Sequence, residues 1–200
     1  MHKHSPRGLG LKPLRLPQRH APHALHKALH NTLQHRLARL AWCLVGAATG
    51  IGLALWLVGP RVHPFLMASL GGSAVFLFGL TRAPAAQPRA LLGGHLGGAA
   101  AGIACGLWLG DTLLGYCVAV GLATAWMLLT RTVHPPAGAT PLVMVHAQVG
   151  WGALWSPVLL GVLALVAVVM VWSRLYPRLV HYPVQAMAPS PSTLNWGGWD

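Results

Sequence analysis

The sequence predicts an all-α polytopic membrane protein with about six membrane segments, on three observations. Apolar runs of about 20 residues, the length that crosses a bilayer core, follow one another with only short polar loops between them. Only 8% of the 200 residues are charged, against roughly a quarter in a soluble domain, while 54% are hydrophobic. Two of the apolar runs are short and interrupted by proline or glycine, so they are expected to be broken rather than continuous helices.

The runs follow in order after a tail. Residues 1–36 are basic, rich in His and Pro, and contain no acid. Within them Leu25, Leu29, Leu33, Leu37 and Leu40 recur at helical spacing, with His26, Lys27, His30, His35 and Arg36 largely elsewhere around the helix. A basic amphipathic helix on an anionic leaflet fits this pattern. No secretory signal is expected, because the first apolar run begins late and is long. The membrane domain is expected over 37–176, with runs at 40–59, 63–81, 91–110, 112–130, 134–150 and 156–173. Of these, 63–81 carries Gly71-Gly72 and 134–150 is interrupted by Pro141. Residues 177–200, "APSPSTLNWGGWD" among them, read as a disordered tail.

Charge sets the topology. The only acids are Asp111 and Asp200, and the formal net charge is +12. A basic balance also suits nucleic acid, but these Lys and Arg lie in the tail and in short loops between apolar runs, so no nucleic-acid partner is expected. With a cytoplasmic N-terminus and six crossings, Arg82, Arg89, Arg131, Arg174 and Arg178 lie inside and only Arg61 outside. Five crossings would move Arg174 and Arg178 outside. Four or five crossings with a re-entrant segment is the alternative. The expected location is the cytoplasmic (inner) membrane, multi-pass.

An offset of 71 residues lays "VHPFLMAS" (62–69) on "VHPPAGAT" (133–140), aligning His63 with His134, Pro64 with Pro135, and Ser69 with Thr140. Each half is then a long helix, a broken segment led by His-Pro, and a long helix. Three crossings per half makes the second half inverted, the architecture of many secondary transporters. The run 91–110 carries Gly94, Gly98, Gly102, Gly106 and Gly110 at every fourth position. That small-residue groove admits a neighbouring helix closely.

Candidate chemistry lies in histidines and flanking basic residues. His63, His95, His134 and His146 fall within or at the ends of spans, where ionisable groups mark pathways or are paired inside the bundle. Arg61 precedes His63-Pro64 and Arg131 precedes His134-Pro135-Pro136. Broken backbone is tolerated in a membrane where protein buries it or where it lines a polar cavity. Positive mouths without an intramembrane carboxylate suit a small anion. Gln87 and Arg89 could add donors. The substrate pathway is therefore expected at Arg61, His63, Pro64, Gln87, Arg89, His95, Arg131, His134, Pro135 and Pro136. No enzyme activity, metal or cofactor is expected. Ser73 with His134 or His146 could pose as a nucleophile and base, but the pattern is short and common. Cys43, Cys105 and Cys117 form no metal or disulfide spacing. The partners expected are the lipid bilayer, a small anion and, in a homo-oligomer, further copies of the chain.

At "TRTVHPPAGATPLV" the chain resembles the HPP family of integral membrane proteins, on His134, Pro135 and Pro136. "HPFLMASLGGSAVFLFG" and "APAAQPRALLGGHLGGA", with Gln87-Pro88-Arg89 and Gly93-Gly94-His95, extend the likeness over roughly 36–175. The resemblance implies about four transmembrane helices, fewer than the six segments read from the residues. Some members carry cytoplasmic CBS domains, for which this chain has no counterpart. Chloroplast and cyanobacterial members have been assigned nitrite transport, which makes nitrite the named candidate anion. The alternative is a non-transporting membrane protein with an interaction or assembly role. Ala137 stands where the family would more often have glycine.

Overall fold

Proline and glycine placement divides the chain into long and short helices. Residues 21–59, 64–176 and 179–193 are described by the computed structural model, with 21–29, 31 and 64 described by backbone alone. Arg61 and His63 lie outside the described residues, as do residues 1–20 and Arg178. The chain forms two units, Met1–Leu40 and Ala41–Asp200. In the first, the described leucines of the predicted face, Leu33, Leu37 and Leu40, are all exposed. They belong to α1, Ala21–Val58, which runs without interruption past the boundary expected at 36/37.

In the second unit, a 3-10 turn at Pro64–Met67 leads into α2, Ala68–Ala74, which a π turn prolongs over Val75–Gly79. Helix α3 spans Pro88–Leu109, with proline in its first turn, where the missing N–H costs nothing. It stops at Gly110, whose φ of 70° ends the helix. Helix α4, Leu113–Thr130, is capped by Thr112, whose Oγ1 accepts from Gly115 N at 3.1 Å. A 3-10 turn at Pro135–Ala139 leads into α5, Thr140–Ala147, and a π turn at Leu154–Leu159 leads into α6, Leu160–Leu175.

Among the described residues, four helices are long and apolar enough to cross a membrane: Thr32–Val58, Pro88–Leu109, Leu113–Thr130 and Leu154–Leu175. The other two segments are the ones led by His-Pro. At about 2.0 Å per residue of 3-10 helix and 1.5 Å per residue of α-helix, Pro135–Ala147 rises only about 22 Å, short of a ~30 Å core.

Contacts nevertheless show that both short segments traverse the bundle. One face is formed by the loop 80–87, by 131–134 and by the C-terminal stretch 179–193. The opposite face is formed by the turns 110–112 and 148–153. The segment from Pro64 places Met67 and Leu70 against Gly161 at the start of α6 and Phe78 against Gly46 in α1, so it runs towards the first face. The segment from Pro135 runs parallel to α3: Ala137 lies at Gly94 and Gly98, Pro141 at Gly102 and Val145 at Gly106. The six segments alternate in direction, and the two ends of the unit, near Ala41 and at 179–193, share the first face.

The long helices pack across the two halves. Helix α3 of the first half packs on α4 and α5 of the second. Helix α6 of the second half packs on α1, through Trp172 with Trp42 and Leu165 with Gly50, and on α2, through Gly161 with Leu70. One apolar cluster gathers Leu70, Leu77, Leu165 and Val169, and another gathers Ile103, Val143 and Met144.

Two expectations are corrected. Gly110 does not continue the packing groove: a side chain there would meet nothing within 4 Å, and the residue serves the helix stop. The stretch 179–193 is not a disordered tail. It docks across the first face, held by backbone and side-chain hydrogen bonds.

Candidate functional site

The site is built where the two short segments meet α3. His134 cannot be helical ahead of two prolines, and its extended backbone turns the ring inward. The glycines of α3 let this turn approach: a Cβ at Gly94 would lie 3.1 Å from His134 Cβ, and one at Gly98 3.0 Å from Ala137 O. Next to Gly94 in sequence, His95 enters from α3. Ser69 and Ser73 share a face of α2, and Thr140 opens α5.

These five side chains form one continuous hydrogen-bonded line. Ser69 and Thr140 hydroxyls are 3.1 Å apart. Thr140 Oγ1 is 2.9 Å from His95 Nδ1, and His95 Nε2 is 2.7 Å from Ser73 Oγ. Ser73 Oγ is 2.8 Å from His134 Nε2, and His134 Nδ1 donates to Ala85 O at 2.6 Å. The Ser73 hydroxyl is also within donating distance of the Ser69 carbonyl, at 3.2 Å. Ser73 and His134 are fully enclosed, and His95 and Thr140 are 1% exposed. The imidazole centroids are 5.2 Å apart, and Phe76 stands edge-on to His134 at 5.4 Å. A buried polar group left without a partner costs about 1–3 kcal/mol, so complete pairing is what makes this cluster tolerable in an apolar bundle.

Ser69 and Thr140, the pair matched by the 71-residue offset, thus touch each other. The line crosses between the halves here, where each broken segment supplies its corresponding residue.

The structure separates the remaining candidates. Pro135 and Pro136 shape the turn, and Pro136 Cβ lies 3.0 Å from the position of a Cβ on Gly72. Pro64 heads the matching turn. Gln87, Arg89 and Arg131 are not donors lining the cluster. Gln87 Oε1 accepts from Val184 N and Gln185 N at 3.0 and 3.1 Å. Arg89 donates to the Thr130 and Met187 carbonyls. Arg131, in the left-handed region at φ 54°, donates to the Pro191 and Ser192 carbonyls. All three are engaged by the docked C-terminal stretch or the loop beside it. Gly94, Gly98, Gly102 and Gly106 do form the expected groove. His146 lies at the opposite face, its Nδ1 3.6 Å from Asp111 Oδ2 and 3.2 Å from the Tyr116 hydroxyl.

Sequence reading missed Ser69 and Thr140 as site residues, although the repeat match had paired them. It named Ser73 only as a doubtful nucleophile. Tyr182, fully buried with its hydroxyl on Ala86 O at 3.0 Å, gave no sequence signal.

The chain matches the family described as HPP, transmembrane region, over residues 32–183. The chain belongs to the HPP family. Two transmembrane proteins of Dictyostelium discoideum are similar to it. One is 33% identical over 161 residues, covering 74% of this chain and 51% of the relative. The other is 31% identical over 161 residues, covering 74% and 56%. The chain spans about half the length of these relatives. No solved structure matches it. The HPP match begins inside α1 and ends one residue after Tyr182, so it takes in every residue of the hydrogen-bonded line.

Proposed function

We propose that this HPP protein carries a small anion, nitrite being the candidate, across the cytoplasmic membrane, with the Ser73–His95–His134 centre as its binding site. The observation that carries the reading is a buried cluster made only of hydroxyls and imidazoles, placed where the broken segments of two inverted halves meet. Hydroxyl and imidazole N–H groups donate to an anion, and among the described residues no carboxylate stands near to repel it. Full enclosure corresponds to the occluded form of an alternating-access cycle, in which the halves open the centre to one face and then the other. The arginine-bearing face, with Arg82, Arg89, Arg131 and Arg174, is then cytoplasmic, as are both ends of the membrane domain.

The test is uptake of nitrite, nitrate, formate and chloride into proteoliposomes. Wild-type protein is expected to move at least one of them above the protein-free rate, and His95→Gln and His134→Gln to lower that rate at equal folded yield. No flux of any small anion overturns the reading in favour of an assembly role.

The distances also suit a serine nucleophile beside its base. We assign the pair to binding, because the Ser73 hydroxyl is engaged by two rings and enclosed on all sides. A fluorophosphonate probe is expected to leave Ser73 unlabelled, and covalent labelling there contradicts the assignment.

A further inference from the structure

The hydrogen-bonded line poses a proton-counting problem. His134 Nδ1–H is committed to the Ala85 carbonyl, so Nε2 of the neutral ring must accept. With Thr140 donating to Ser69, His95 Nδ1–H donates to Thr140, and His95 Nε2 must accept as well. Both acceptors face the Ser73 hydroxyl, at 2.7 and 2.8 Å, which has one proton to give and a third, longer acceptor in the Ser69 carbonyl at 3.2 Å. One excess proton completes the set. Placed on His95, it makes Nε2–H donate to Ser73 Oγ while Ser73 donates to His134. Placed on His134, it reverses both bonds. The two placements are equally well bonded and related by transfer through Ser73. Without the excess proton, the line is complete only if the Thr140 hydroxyl turns to His95 and His95 changes tautomer.

We propose that the His95–Ser73–His134 triad is a proton relay that couples anion movement to proton movement, so that the protein is a proton–anion symporter. The inference rests on the transport reading and extends it to the coupling ion. The step balances. It starts from the line without the excess proton, with His95 protonated on Nε2 and the Thr140 hydroxyl donating to Nδ1: the Thr140 proton passes to His95 Nδ1 as Thr140 Oγ1 takes up the incoming proton, and an imidazolium forms. Its Nε2–H bond breaks as Ser73 Oγ takes that proton, and the original Ser73 proton forms the N–H bond at His134 Nε2. The serine hydroxyl is regenerated and one positive charge has moved from α3 to the turn before α5. No redox partner is needed.

The surroundings leave this proton to the triad. The groups facing it are Ser69 from α2, Phe76 from the π turn, the Ala85 carbonyl from the loop, and Thr140 from α5. Among the described residues no Lys, Arg, Asp or Glu side chain bonds to the line. Arg89 and Arg131 are engaged at the first face, and Asp111 and His146 pair at the other. An anion entering the centre is then the natural counter-charge of the excess proton, which makes the two bind together.

The test uses full-length protein in liposomes containing a trapped pH-sensitive dye, with an inward nitrite or nitrate gradient and protein-free vesicles subtracted. Wild type is expected to acidify the lumen as the anion enters. Because Ser73 also belongs to the binding centre, Ser73→Ala is expected to slow anion entry, and the deciding quantity is the ratio of lumen acidification to labelled-anion entry in the same vesicles: Ser73→Ala should lower that ratio, and Ser73→Thr, which keeps a hydroxyl, should restore it. Anion entry by wild type without acidification overturns the relay and leaves transport standing. No anion entry by wild type overturns both. An unchanged ratio in Ser73→Ala overturns the relay, as does complete loss of anion entry in folded Ser73→Ala, since Ser73 would then act in binding alone.

Discussion

His134 shows what a single residue contributes. Its neighbours Pro135 and Pro136 deny it a helical backbone, and the glycines of α3 leave room for the ring it turns inward. The motif was legible because proline and histidine are unmistakable in an apolar run. Its partners were not, because serine and threonine are ordinary packing residues in membrane helices and only the fold shows which ring they meet. The groove makes a quantitative prediction. A Cβ at Gly102 would lie 2.6 Å from Pro141 Cα and from Pro141 O, which is backbone that cannot move aside. Gly102→Ala is expected to destabilise by about 1–3 kcal/mol, the usual range for overpacking. Gly52→Ala, where nothing lies within 4 Å, is expected to be neutral or slightly stabilising. Thermal unfolding of the two variants in the same detergent compares them directly.

Among the elements, the long helices were read from length and hydropathy, and the short ones from proline. The C-terminal stretch was misread as disordered. Its Pro and Ser content reports weak core-forming power, but this stretch docks mainly through backbone groups, which composition does not register. Val133 N donates to Ser190 O at 2.7 Å, Ser190 N to Arg131 O at 2.9 Å, and Arg89 N to Ala186 O at 3.1 Å. Tyr182 anchors it, and burial pushes the Tyr182 phenol up from its ordinary value. A raised folded-state pKa means that the stabilisation is fully present below the ordinary tyrosine pKa of about 10 and is lost as pH rises through the higher folded value. Hydrogen exchange over 179–193 is therefore expected to be unchanged in its protection between neutral and mildly alkaline pH. Tyr182→Phe should lower that protection at every pH, by about 1 kcal/mol for the lost hydrogen bond. Equal protection in the two proteins would mean that the hydroxyl contact does not hold the stretch.

At the scale of the whole molecule, the inverted halves were visible in sequence only as a weak match at one offset. Folding makes the match physical, because Ser69 and Thr140 meet and the long helices pack across the halves. The six-segment reading also survives the short lengths of two segments, since both run from face to face. What sequence could not convey is that Gln87, Arg89 and Arg131 belong to the docked C-terminal stretch, which joins residues about a hundred positions apart. A reporter active only outside the cytoplasm, fused after Asp200, is expected to be silent, and activity there would reverse the assigned orientation. The central claim, that a small anion occupies the imidazole–hydroxyl centre and reaches both faces, is tested most directly by counterflow of labelled nitrite. Proteoliposomes preloaded with unlabelled nitrite should take up external label faster than empty ones when they contain wild type, and His95→Gln should abolish the difference. Uptake of label by wild type no faster than in protein-free vesicles, whatever the internal load, would contradict the account.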